Sequence, residues 1–167
     1  MKVRFKTTVA LLASVRIDLR RPHPFAHERV GFIAAGLSAA GEDVLVLARA
    51  YRPVADQDYL NDPSVGAMMG PEALRKALQW AMETGAALFH VHTHGGKGVP
   101  DFSGIDLREN PKFVPDFCKV ASQAIHGAIV LSDNAARGQV WLGRDRPHTF
   151  VAQFTQVGAP IVTWSVA

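Results

Sequence analysis

A single α/β domain, with a mixed sheet flanked by helices, is the fold class this chain predicts, and three observations predict it. At 167 residues the chain suffices for one core and is short for two. Hydrophobic residues make up 48% and charged residues 20%, the balance of a globular protein rather than a disordered one. Apolar runs of strand length then alternate with segments of helical period in the order β-β-α-β-α-β-β, which suits a layered sheet.

The elements follow in order. Val3 to Phe5 begins a strand. From Thr8 to Arg20, Leu11, Leu12, Val15 and Leu19 fall near helical spacing, with Thr7 or Thr8 as cap; a long strand is the alternative. Pro22 and Pro24 break whatever precedes them. Glu28 to Leu37 and Asp43 to Val54 are apolar runs joined by a short turn with Gly41, the pattern of an antiparallel hairpin. A polar loop follows over 56–64, and a short strand over Val65 to Met69. The clearest helix starts at Pro71, with Glu72 at the positive end of its dipole, Leu74, Leu78 and Met82 on one face and Gly85 as its stop. A buried strand ends in "FHVHTHG". The segment from Ser103 opens a helix, and Val114 to Ala124 predicts another. "GAIVLSDN", "QVWLG" and "PIVTWSV" are the remaining strands. No internal repeat is visible.

Composition narrows the function classes. The formal charge of +3 comes from scattered Lys and Arg, apart from Arg16, Arg20 and Arg21, without the basic and aromatic stripe of a nucleic-acid protein. The single Cys118 excludes an internal disulfide and a CxxC zinc site. Lys2, Arg4 and Lys6 precede an apolar run too short for a good signal peptide, and no stretch reaches the ~20 apolar residues of a membrane span. The expectation is a cytoplasmic protein without a membrane partner.

The chemistry lies in the histidines. Residues two apart on a strand face the same side, so His92 and His94 project together where the strand meets a loop. Alone, H-x-H is weak. Ser103 is a natural helix N-cap and Asp106 follows three residues later on the same helical face. A helix start turned toward the strand end places Asp106 as a carboxylate ligand beside the Ser103 hydroxyl. Two His and one Asp, with a fourth position for water, compose a catalytic rather than a closed structural zinc site. Such a site needs a general base. Glu28, a carboxylate at the mouth of an otherwise apolar strand, is the best candidate. Glu42, Glu72 and Glu83 are explained by a turn, a helix dipole and a solvated helix face.

Glu28-x-x-Gly31-x-x-x-x-Gly36, then His92-x-His94, then Ser103-x-x-Asp106 resembles the pattern of the JAMM (MPN+) zinc metallopeptidases, isopeptidases of the deubiquitinase type and their prokaryotic relatives. The motif runs from Glu28 to Asp106, and the order of elements extends the likeness over most of the chain. The resemblance implies one cytidine-deaminase-like α/β/α sandwich domain over 1–167, although the deaminase H-x-E and P-C-x-x-C elements are absent. It implies one Zn²⁺ held by His92, His94 and Asp106. Glu28 would move the proton from water to the leaving amine, and Ser103 would hydrogen-bond the oxyanion. The implied substrate is the C-terminus of a ubiquitin-like protein or its conjugates, with dedicated conjugation enzymes nearby. Two departures stand out. The loop of eight residues between His94 and Ser103 is slightly long, and Gly95 replaces a proline; both predict a flexible loop.

Other residues have plainer readings. His90 is expected in a buried or supporting role, His23 and His27 as polar residues of a proline-rich loop, and Cys118 as a packed thiol near His126. Trp80 and Met82 read as helix packing. Met68 and Met69 are placed to meet an apolar substrate tail. Two alternatives to deconjugation stay open: tail processing of a small sulfur-carrier protein by the same zinc chemistry, and a non-catalytic scaffold of the same fold, which would characteristically have lost ligands or base.

Overall fold

The computed structural model describes residues 1–23 and 26–165. Pro24 of the expected chain break and Val166 of the expected last strand lie outside the described residues. Among the described residues the chain forms ten strands and three α-helices: β1 (Val3–Thr8), α1 (Val9–Leu19), β2 (Val30–Ala40), β3 (Asp43–Pro53), β4 (Tyr59–Leu60), β5 (Met68–Met69), α2 (Pro71–Thr84), β6 (Ala87–Thr93), α3 (Gly104–Phe113), β7 (His126–Leu131), β8 (Ala136–Trp141), β9 (Thr149–Val157) and β10 (Val162–Ser165).

Eight strands make one mixed sheet in the order β1-β3-β2-β6-β7-β8-β9-β10, and β1 also pairs with β9. That pairing closes seven strands into a ring with β10 on its outside edge. The expected mixed α/β arrangement of sheet and helices is present, with the sheet closed into a seven-strand barrel. Alternation along each strand divides the side chains into two sets. Phe89 meets Phe5 across the ring at 5.2 Å between ring centroids, and Phe5 meets Phe154 at 5.4 Å. Leu12 and Val15 of α1 join them beside Ile33 and Ile129. On the opposite face, Phe32 meets Phe117 at 5.9 Å and His90 meets Phe113 at 5.4 Å. The helices α2 and α3 lie on that side.

Local chemistry explains most boundaries. The Thr8 hydroxyl accepts from the Leu11 N–H at 3.2 Å and caps α1, so the helical reading of that segment holds over the strand reading. The hairpin β2–β3 is antiparallel, as its turn predicts. Gly31 faces the Tyr51 ring across it, where a β-carbon would lie 2.4 Å from ring atoms. The ring thereby reaches α1, and the Tyr51 hydroxyl donates to Asp18 at 2.6 Å.

Four expectations are corrected. The buried residues of α2 are Ala73, Ala77, Trp80 and Ala81, whereas Met82 is 61% exposed. Small alanines let the helix approach closely, and Trp80 fills the space. The helix expected over Val114 to Ala124 is a 3-10 turn over Val114–Lys119, because Pro115 has no N–H to give the Pro111 carbonyl. The polar loop contains β4, which pairs with β5. The strand β9 lies in a stretch from which no strand is predicted. Its pairing with β1 shifts register between Val3 and Arg4, so Val151 and Phe154, three apart, are both buried and the period of two is lost.

Candidate metal centre

Strand register assembles the site. β6 runs parallel to β7 and antiparallel to β2, with His92 opposite Val30. In that antiparallel register, Glu28, two residues before Val30, comes out beside the end of β6 where His94 follows. The His94 N–H continues the ladder to the Leu131 carbonyl at 2.8 Å. The first turn of α3 supplies the third side. Ser103 caps the helix in a reciprocal box: its hydroxyl accepts from the Asp106 N–H at 3.1 Å, while Asp106 Oδ2 accepts from the Ser103 N–H and Oγ at 2.8 Å each.

The predicted residues converge. His92 Nε2 lies 3.2 Å from His94 Nε2, and Asp106 Oδ2 lies 3.4 Å from the first and 3.6 Å from the second. Ligands about 2.0–2.1 Å from a tetrahedral zinc stand about 3.3–3.4 Å apart, so this triangle has the size zinc requires. Glu28, His92 and His94 also form a group that could hold a metal ion, with ligand atoms all within 4.8 Å of one another. Two groups of three donors thus share the His92 and His94 pair, one completed by Asp106 and one by Glu28. The triangle completed by Asp106 matches direct coordination, and the wider reach of Glu28 suits a contact through water.

Second contacts set the donors. His94 Nδ1 lies 2.9 Å from the Asp101 carbonyl and donates to it, leaving Nε2 with its lone pair toward the site. Arg137 holds the Asp101 side chain at 2.9 Å. His92 is buried, and its Nδ1 has no partner among the described residues. Burial alone would raise the Asp106 pKa. The hydrogen bonds from His92 and Ser103 and the His92 charge outweigh it and hold the carboxyl well below the usual range. Ser103 reaches the site as predicted, with its hydroxyl hydrogen engaged by Asp106.

The site lies on a cleft of about 530 Å³ lined by Glu28, His92, Asp106, Met68, Met69 and Phe113 among others. His90 is buried at the cleft floor. Burial, with the neighbouring His92 second, lowers its pKa to about 3, and neither ring nitrogen has a partner among the described residues. His23 packs edge-on to Tyr59 at 4.5 Å, and His27 is exposed. Cys118 is buried and burial raises its pKa, which suits a packed thiol.

The loop after His94 is pinned rather than loose. The Gly98 N–H donates to Asn134 Oδ1 at 2.8 Å, the Ser132 hydroxyl to the Gly98 carbonyl at 2.6 Å, and the Asp133 N–H to the Gly96 carbonyl at 3.0 Å. The turn over 132–134, read from the sequence as the end of the strand that in fact stops at Leu131, is its anchor. The Asp101 contact had no sequence signal, since any residue offers a carbonyl. Gly66, lying against Glu28, did have one: an isolated glycine in an apolar run marks close approach.

Fold and site together define a mixed α/β protein with a candidate metal centre. No protein-family model matches the chain, and no curated protein matches it. Among solved structures, it is similar to the STIL N-terminal domain of Trichoplax adhaerens, at 11% identity and a TM-score of 0.40. The likeness covers 80% of this chain and 40% of that one, and at this level it carries no argument. Among the described residues no helix is long and apolar enough to cross a membrane.

Proposed function

We propose that this chain is a zinc-dependent peptidase or isopeptidase of the JAMM type, with a cytidine-deaminase-like fold, acting at the C-terminus of a ubiquitin-like protein. The observation that carries the reading is the triangle of His92 Nε2, His94 Nε2 and Asp106 Oδ2, with edges of 3.2, 3.4 and 3.6 Å, beside a Glu28 carboxylate. The order of the motif in the sequence supports it, as does the open cleft beside the triangle.

Zinc bound there supplies Lewis acidity and a water that loses its proton near neutral pH. His92, His94 and Asp106 would hold the metal, and the ring of His94 is oriented by the Asp101 carbonyl. Glu28 accepts the proton of the attacking water and delivers it to the departing amine as the C–N bond breaks, so proton and leaving group balance. Ser103 stands beside Asp106, and its hydroxyl would serve the developing oxyanion by turning its proton away from the Asp106 carboxylate. The cleft receives the extended tail, with Met68 and Met69 along one wall.

The test is a panel of ubiquitin-like and sulfur-carrier tails fused to a reporter through peptide and isopeptide bonds. The expected result is cleavage by the zinc-loaded protein, abolished by a chelator and restored by zinc. Stoichiometric zinc without cleavage of any fusion would overturn the reading and leave a binding scaffold.

A further inference from the structure

The segment between β3 and α2 makes an arm that grips the strand entrance carrying Glu28. The Tyr59 hydroxyl accepts from the Val30 N–H at 2.8 Å and lies 3.1 Å from the Val30 carbonyl. Arg29 is buried; its guanidinium donates to Asp56 at 2.6 Å and to the Arg21 and Pro22 carbonyls at 3.0 and 2.7 Å. The Gly66 carbonyl accepts from both the His27 and the Glu28 N–H groups at 2.9 Å. At the same point the Gly66 backbone lies flat against the Glu28 carboxylate. A β-carbon on Gly66 would lie 2.6 Å from Glu28 Cδ and Oε2, closer than real β-carbons approach, and a tight 3.0 Å from Oε1. Gly66 thus holds the Glu28 backbone through its carbonyl and, by lacking a side chain, leaves the space in which the carboxylate stands.

We infer that Gly66 is a positioning residue for Glu28, fixing where its carboxylate stands relative to the metal centre; this rests on the proposed role of Glu28 as base. A methyl group at residue 66 displaces the carboxylate first, since the three atoms nearest to it all belong to Glu28. Gly143, whose β-carbon would meet atoms no closer than 3.7 Å, is the control.

The experiment uses the full chain loaded with Co²⁺ and with Zn²⁺. Gly66→Ala, Glu28→Gln, Gly66→Ala with Glu28→Gln, and Gly143→Ala are compared. Metal content and the pH midpoint of the cobalt visible spectrum are read alongside reporter turnover. Gly66→Ala is expected to keep full metal and to reproduce at least half of the midpoint shift of Glu28→Gln. It should lose roughly 100-fold in kcat with KM little changed, the scale of a misplacement near 1 Å. In the Glu28→Gln background it should change turnover less than about twofold, because the two act through one group. Gly66→Ala titrating and turning over as wild type, while Glu28→Gln differs, overturns the inference alone. Glu28→Gln itself titrating as wild type removes the base assignment and the inference with it. A melting measurement guards against a misfolded arm. The loss of Tm from Gly66→Ala should shrink by more than half when Glu28→Ala removes the carboxylate, and an equal loss in both backgrounds overturns the inference.

Discussion

Two groups of histidines on the outer side of one sheet have opposite fates. His126, at the start of β7, is fully buried, and both of its nitrogens are satisfied by backbone: Nδ1 accepts from the Leu88 N–H at 3.1 Å, and Nε2 donates to the Ala121 carbonyl at 3.2 Å. It stacks on Phe117 at 5.5 Å. His92 and His94, at the far end of the adjacent β6, instead turn their Nε2 atoms toward each other and toward two carboxylates. Residue type does not separate a packed imidazole from a candidate metal ligand, and for His92 burial does not either. What separates them is whether the nitrogen's partner is a backbone group of the fold or another donor of the same kind.

The comparison breaks most sharply at the ligands. Asp106→Ala should reduce zinc affinity by at least 100-fold and abolish cleavage, because two neutral imidazoles alone make a weak site. Equilibrium zinc binding against a competing chelator reads this. Next in size, Glu28→Gln should keep zinc at the wild-type level while lowering kcat by about 10²–10⁴. Loss of zinc in that variant would instead make Glu28 a ligand.

His126→Ala sharpens the other side. It opens a cavity and orphans the Leu88 N–H, so urea unfolding should show a loss of about 2–4 kcal/mol with zinc stoichiometry unchanged. The same residue gives a pH signature. Burial lowers its pKa to about 4, the bond to Ala121 opposing more weakly. The unfolded chain, with an imidazole near 6.5, binds the proton first. Stability is therefore present above pH 6.5 and is lost as pH falls toward 4, a change of roughly 3 kcal/mol. The pH slope of unfolding should be shallower in His126→Gln over that window. Smallest of all, Met82→Lys on the exposed face of α2 should change stability by no more than about 0.5 kcal/mol.

The sequence made the site more legible than the frame around it. His92, His94 and Asp106 are tied by local rules, the two-residue period of a strand and the three-residue step from a helix cap, and local rules can be read from one chain. Glu28 is harder, since its place depends on the β2–β6 register, yet a carboxylate opening an apolar strand marked it. The closure of the ring was invisible because β9 carries a bulge that hides its alternation. The face of α2 was misread because alanines bury closely while the larger Met82 stays outside. The loop after His94 was expected to be flexible from its length and from Gly95 in place of a proline, and its anchors, Ser132 to Asn134, lie more than thirty residues away in sequence.

Metal content tests the account most directly. Wild type, Asp106→Ala and His126→Ala would be purified, supplemented with zinc, desalted and measured by elemental mass spectrometry beside a circular dichroism check of folding. The predicted result is near one zinc per chain in the wild type and in His126→Ala, with little in Asp106→Ala. A folded wild type that retains no zinc, or an Asp106→Ala variant that binds it as well as the wild type, would contradict it.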